Sequence, residues 1–349
     1  MILPQTYGFV LILMVLCLFC WGSWANTFKL AGKYRFEIYY VDFAIGCMAI
    51  ALIYAFTVGN LGYDGFQFLD DLEHAGKRQW FYGFLAGVVF NLANMLLVAA
   101  VSVAGMAIAF TVGIGVAIIV GSALSLAIKP GGNMLILFAG CALIAAAVVV
   151  AAIAYNILGI IRHEALARAG KAKSTRRPTS VKGVILGVVS GLVMGCFAPL
   201  LQNGMEGDVG LGPYAMTVVF AMGVMLSTLV FSIFFMNLPV EGDPIELSEY
   251  FRARPKQHFL GMLGGAIWCT GLVAALASAA APTQAHLAPA VNNLLSEGFP
   301  LVAALWGLLV WKEFQEGDAR VKLSAIVMLT LFAGGLVLVS IAPLYLHKG

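Results

Sequence analysis

Three observations predict an all-α membrane protein of ten transmembrane helices, arranged as two inverted five-helix repeats. The chain is overwhelmingly apolar, its apolar residues fall in runs of bilayer length, and its two halves echo one another. Of 349 residues, 61% are hydrophobic and 11% charged, with a mean hydropathy of +0.95; soluble domains carry about 25% charged residues. So little polar surface cannot cover a soluble core of this size, which excludes a soluble enzyme and a disordered chain alike.

Apolar runs of about 20 residues, one bilayer crossing each, place helices at about 6–28, 37–58, 80–101, 104–128, 133–156, 182–202, 213–237, 258–280, 286–311 and 321–344. The first run is expected to be retained, because MILPQTYGFV has no Lys or Arg and so lacks the charged start of a secretory signal. An even number of spans puts both termini on one side. Sixteen of the twenty Lys and Arg residues fall in odd-numbered loops; the exceptions are Lys77, Arg78, Lys129 and Lys348. Cytoplasmic loops collect such residues, so both termini are expected outside and the basic linker at 157–181 in the cytoplasm. Within the linker, Gly170-Lys171 with Ser174-Thr175 is no phosphate-binding loop, since Ala172 follows the lysine and the preceding glycine is Gly159.

The linker separates a first repeat, 1–156, from a second, 182–349. Leu97-Val98-Ala99-Ala100 in span 3 recurs as Leu272-Val273-Ala274-Ala275 in span 8, 175 residues on, and Leu137-Phe138-Ala139-Gly140 in span 5 recurs as Leu331-Phe332-Ala333-Gly334 in span 10. Trp21-Gly22-Ser23-Trp24-Ala25 similarly overlays Met194-Gly195-Cys196-Phe197-Ala198 in span 6. Five spans per repeat is an odd number, so the second copy enters the membrane from the opposite side, the common architecture of secondary transporters.

All six cysteines (Cys17, Cys20, Cys47, Cys141, Cys196 and Cys269) lie in apolar runs, where a thiol behaves as a small hydrophobe. Neither disulfide nor metal is expected. The glycine ladder Gly183, Gly187, Gly191 and Gly195 in span 6 suits close helix contact.

Gly105-Met106-Ala107-Ile108-Ala109-Phe110-Thr111-Val112-Gly113-Ile114-Gly115 running into Ile119-Val120-Gly121, together with Leu263-Gly264-Gly265-Ala266-Ile267-Trp268 and Lys312-Glu313-Phe314, is similar to bacterial rhamnose-proton symporters. The stretch CWGSWAN and the basic central linker resemble the plant ureide permeases and related glucose and ribose uptake proteins. All belong to the drug/metabolite transporter superfamily. The resemblance implies ten spans in two inverted repeats, a cavity lined mainly by spans 1, 3, 4, 6, 8 and 9, peripheral spans 5 and 10, and uptake driven by a proton or another ion.

Ionisable and polar groups within the bilayer are candidates for function. Glu297 lies near the middle of span 9, where a charge costs about 2.5 to 3.5 kcal/mol on insertion scales, and it is the expected proton-coupling residue. Asn293 stands one turn before it, Asn292 pairs likewise with Ser296, and Gly298 and Pro300 are expected to loosen the helix. Asn91 and Asn94 share a face of span 3; such amides either join helices or read the hydroxyls or amides of a solute. The span 3 to span 8 overlay sets Asn94 against Cys269, beside Trp268 and Thr270. Asn26, with Lys29, forms a polar edge of span 1; Trp24, with Trp21, serves either as an interfacial packing residue or as an aromatic platform for solute. The expected solute set is therefore Asn26, Asn91, Asn94, Trp268, Asn292, Asn293 and Trp24. Asp42 is expected as a paired carboxylate near the inner interface, and His286 as a solvated helix-end residue.

The expected function is secondary active transport, by alternating access, of a small neutral polar solute, a sugar such as rhamnose, glucose or ribose or a ureide-like compound. No basic cluster lies mid-membrane to hold an anion. Export by the same superfamily is the alternative; an enzyme would need a metal or Ser/His motif that is missing, and a channel fits an inverted repeat less well. No cofactor is expected beyond a proton or other coupling ion. The partners are the solute and the lipid of the cell membrane, not nucleic acid, with a homodimer left open.

Overall fold

The computed structural model describes residues 1–128, 133–169, 181–240 and 242–345, and these contain helices and no strand. Among the described residues ten helices are long and apolar enough to cross a membrane: Tyr7–Leu30, Phe36–Phe56, Lys77–Ala104, Met106–Ala127, Met134–Arg168, Val181–Met205, Pro213–Asn237, Pro255–Ala279, Pro289–Val310 and Ala319–Leu344, numbered spans 1 to 10 in that order. Their ends lie within three residues of those expected, except that span 5 continues twelve residues further.

That extension corrects the expected linker. Glu164, Ala165, Leu166, Ala167 and Arg168 are strong helix formers, Arg168 pairs with Glu164 at 3.9 Å, and Arg162 donates to Glu316 Oε2 at 2.7 Å and to the Glu313 carbonyl at 2.9 Å. Residues 157–168 are therefore helix. Residues 170–180, with the Gly170-Lys171 and Ser174-Thr175 pairs, lie outside the described residues, as do Lys129 and Lys348.

The chain packs into two compact units, Met1–Met95 with Cys196–Phe299, and Leu96–Gly195 with Pro300–Gly349. Each takes helices from both halves of the sequence, and spans 3, 6 and 9 contribute to both.

In the first unit span 2 is central, packing on spans 7 and 8, while span 1 packs on span 8 and the first half of span 9. Backbones nearly touch at these crossings. A Cβ on Gly46 would overlap the Met262 carbonyl, and one on Gly265 would overlap the Phe43 carbonyl; at the crossing of spans 3 and 7, Gly87 and Gly223 meet the carbonyls of Phe220 and Phe84 in the same way. The 175-residue offset of the Leu-Val-Ala-Ala echo carries Gly87 to Met262, and Gly223 lies 177 residues after Gly46. Both crossings are thus built the same way, with glycine against a backbone carbonyl.

In the second unit span 5 packs along span 10, and span 4 on spans 5 and 6. Gly140 closes on Gly335, and Asn133 N donates to the Ala342 carbonyl at 2.9 Å, so spans 5 and 10 run antiparallel, and the end of the first Leu-Phe-Ala-Gly segment meets the residue that follows the second. Span 3 turns into span 4 through one residue, Gly105, at φ +86°, a conformation that favours glycine. The Glu313 carboxylate then caps span 4, accepting from Met106 N at 2.7 Å and Ala107 N at 2.9 Å, where the positive end of the helix dipole favours an acid. Lys312-Glu313-Phe314 is a structural fastening.

Within the first unit, the N-terminus is tied to the loop after span 2: Met1 donates to the Asp64 carbonyl at 3.0 Å and Leu3 N to Asp64 Oδ2 at 3.0 Å. Asp71, on the short helix Phe68–His74, accepts from Gly212 N at 2.9 Å just before span 7. Burial pushes its carboxyl up to about 6, against an ordinary 3.8, with the Gly212 bond, His74 and the N-terminal ammonium opposing the shift. Because the folded state holds this proton more tightly than the unfolded chain, the associated stability is fully present below pH about 3.8 and is lost as pH rises through about 6. The limit is about 3 kcal/mol. Asp71→Asn, which keeps the acceptor for Gly212, is expected to remove this fall; melting temperatures from pH 4 to 7 that track the native protein would disprove the assignment.

Candidate functional site

Span 9 is two half-helices. Pro289–Glu297 ends at Gly298, and Phe299–Leu305 follows. Pro300 has no N–H to offer the Ser296 carbonyl, so the break falls where Gly298 and Pro300 were expected to loosen the helix. Glu297 is therefore the last residue of a half-helix, at the end of its dipole least suited to another negative charge. It is half-buried, and among the described residues its carboxyl makes no hydrogen bond or ion pair. Cys17 of span 1 lies within electrostatic range of it. The side chains of Asn292 and Asn293, also half-buried, are likewise unbonded among the described residues, while the Ser296 hydroxyl donates to the Asn293 carbonyl at 3.2 Å.

Beside this half-helix stands an aromatic stack built on Trp268. That ring, 4% exposed, lies 4.0 Å from Phe90, 5.6 Å from Phe220 and 6.4 Å from Phe43. Trp21 stacks on it at 6.0 Å and donates from Nε1 to its carbonyl at 3.2 Å. Phe299, two residues beyond Glu297, meets Trp21 edge-on at 5.5 Å. Trp21 and Phe299 are the half-buried rim of the stack.

Spans 1 and 6 are broken as well. Span 1 divides into Tyr7–Ser23 and Asn26–Leu30, and span 6 into Val181–Met194 and Phe197–Met205. The breaks fall within two residues of one another in the overlay of Trp21-Gly22-Ser23-Trp24-Ala25 on Met194-Gly195-Cys196-Phe197-Ala198. That motif therefore marks a repeated interruption. Asn26 serves it directly, donating from Nδ2 to the Ser23 carbonyl at 2.8 Å.

The remaining expected solute residues are engaged in packing. Trp24 is 1% exposed and lies 5.2 Å from Phe43. Asn91, fully buried, donates to Ser227 Oγ at 2.7 Å, Thr228 Oγ1 at 3.1 Å and the Val224 carbonyl at 3.1 Å, joining spans 3 and 7. Asn94 donates to the Tyr40 hydroxyl at 2.9 Å. His286 is exposed at the helix end, as expected, with Nε2 2.7 Å from the Ala281 carbonyl. Asp42 is 1% exposed and is paired, its partner being His258 at 3.0 Å.

The structure thus keeps Glu297, Asn292 and Asn293 together on one half-helix, with Trp268 in the neighbouring stack. It adds Trp21 and Phe299, which the sequence reading left out of the solute set. One turn apart on span 1, Trp21 and Trp24 meet different neighbours, spans 8 and 2, and nothing in their local sequence separates them. His258 was also overlooked; its signal was a histidine a few residues inside an apolar run, at the same end of its span as Asp42.

Comparison with protein-family models gives no match, and no curated protein matches the chain. A crystal structure of a protein of 15% sequence identity superposes with a TM-score of 0.51, covering 97% of this chain and 98% of the other. At that identity the likeness concerns the fold alone.

Proposed function

We propose that this protein is a secondary active transporter of the cell membrane that takes up a small neutral polar solute, with a proton or other ion held at Glu297 as the coupling species. The observation that carries the reading is the Glu297 carboxyl at the break in span 9, unpaired among the described residues. A bare carboxylate in an apolar phase is costly, so this one is stable when it binds a proton or a cation and is charged only when the pathway admits water. Binding and release of that ion are what coupling requires.

The surrounding groups fit a neutral solute. The rims of Trp21 and Phe299 offer apolar faces to a sugar ring or a planar ureide, and the unbonded amides of Asn292 and Asn293 supply donors and acceptors for hydroxyls or carbonyls. No Lys or Arg belongs to this set. Broken spans, an inverted duplication and two compact units that draw on both repeats suit alternating access, and the resemblance to rhamnose-proton symporters and ureide permeases points the same way.

Proteoliposomes with an inside-alkaline pH gradient, offered labelled sugars and purine-derived ureides, test the reading. Concentrative uptake of one solute that collapses with a protonophore is the expected result. Accumulation only under the reversed gradient would make the protein an exporter, and no movement of any solute in either direction would overturn transport.

A further inference from the structure

At the end of the first unit opposite its N-terminus, the loops before spans 2 and 8 meet, joined by Arg35 Nη1 donating to the Asp243 carbonyl at 2.9 Å. Behind this contact Asp42 is almost wholly enclosed. Tyr34 donates to its Oδ2 at 2.6 Å and Tyr250, on the loop helix Ser248–Arg252, to its Oδ1 at 2.7 Å. His258 places Nδ1 3.0 Å from both carboxylate oxygens.

The hydrogens of this cluster can be assigned by elimination. Asp42, accepting from both tyrosines, is taken as the carboxylate, which only accepts, so Nδ1 is assigned the hydrogen and donates it. Tyr34 has one hydroxyl hydrogen, committed to Asp42, so its oxygen accepts from Nδ1–H across their 3.3 Å separation. Burial and the bond to Asp42 raise both tyrosines above their ordinary range, so they stay neutral donors. The basic atom left is His258 Nε2, on a side chain 22% exposed, with no partner among the described residues.

We propose that Asp42 and His258 form a second proton-binding site, at which His258 Nε2 takes a proton from water at the predicted cytoplasmic end while Asp42 holds the resulting imidazolium. The Nε2 lone pair forms the new N–H bond, Nδ1 keeps its hydrogen, and no proton passes to Asp42. The site deepens the transport reading by naming where the coupled proton is exchanged with the inner solution. It rests on that reading for its purpose but not for its chemistry.

Among the described residues no other ion pair is made by Asp42. Arg35 is held by Glu37 at 2.6 Å, and Arg252 by Glu249 at 2.8 Å. Tyr39, one turn before Asp42, shares its hydroxyl with Thr27 at 2.7 Å. The remaining charged groups among the described residues of the elements packed here are Lys29 on span 1, Lys33 in the loop before span 2, Asp243 and Glu246 in the loop after span 7, and Arg254 and Lys256 at the start of span 8; none lies within ion-pair distance of Asp42.

Nitrogen-15 NMR of the full-length, histidine-labelled protein in nanodiscs tests the site, with the signal assigned by its loss in His258→Gln. Above pH 8 the Nδ1–H tautomer is expected, whereas free imidazole favours the other; on acidification to pH 5, Nε2 gains a proton while Nδ1 stays protonated. Asp42→Ala should restore mixed tautomers, and Tyr250→Phe, a milder change, should keep the Nδ1–H form. A predominant Nε2–H tautomer, or an Nε2 bare down to pH 5, overturns the site. In proteoliposomes His258→Gln should lose at least fivefold in gradient-driven accumulation while retaining solute counterflow; unchanged accumulation overturns its place in coupling. Protonation as described with no solute moved by the native protein would leave the site standing and the transport reading refuted.

Discussion

Glu297→Gln is expected to abolish concentrative uptake under a pH gradient while leaving equilibrium exchange of solute within about twofold of the native rate, if the protein is the proposed transporter. Glutamine keeps the shape of the side chain and its hydrogen-bonding capacity but binds no proton or cation. Because the native carboxyl makes no hydrogen bond or ion pair among the described residues, its amide counterpart breaks no contact, and a loss of coupling cannot be laid to misfolding. The loss should be tenfold or more, since a carrier that moves solute without its ion has no means of storing the gradient. If Glu297→Gln accumulates solute as the native protein does, the carboxyl is a packing residue and the coupling role belongs elsewhere.

Gly265→Val is expected to be the most damaging single substitution in the first unit. Its side chain would meet the Phe43 carbonyl and, at 2.8 Å, Cys47 N, both backbone groups of span 2, and backbone cannot step aside as the end of a side chain can. Spans 2 and 8 would have to separate, with the cluster around Asp42 and His258 that bridges them. Overpacking of this kind costs about 3 kcal/mol or more, read as a fall of many degrees in melting temperature or a loss of monodisperse protein. Gly8→Val, where nothing lies within 4 Å of the added carbon, is the matched control and should melt with the native protein. Equal melting of the two variants would contradict the packing described.

Much of the architecture was legible because it depends on short stretches of chain. Apolar run length placed nine of the ten spans closely; span 5 outran its apolar segment because charged helix formers such as Glu164 and Arg168 continue a helix that hydropathy alone would end. Gly298 and Pro300 marked the break in span 9, since a missing N–H is a property of one residue. The chemical fate of the amides was not legible. Asn91 and Asn293 are the same side chain, yet Asn91 is spent on Ser227 and Thr228 of span 7 while Asn293 remains unbonded among the described residues.

The sequence by itself determined a ten-span membrane protein, the position of its intramembrane carboxyl and the interruption of the helix that carries it. These follow from the cost of moving polar groups into lipid and from backbone chemistry, both of which act locally. Only the tertiary structure decided which polar groups found partners. Asp42 meets a histidine 216 residues away, and Trp21 meets Trp268 across 247. Such pairings are fixed by which helices the glycine contacts bring within reach, a property of packing that no single stretch of sequence contains.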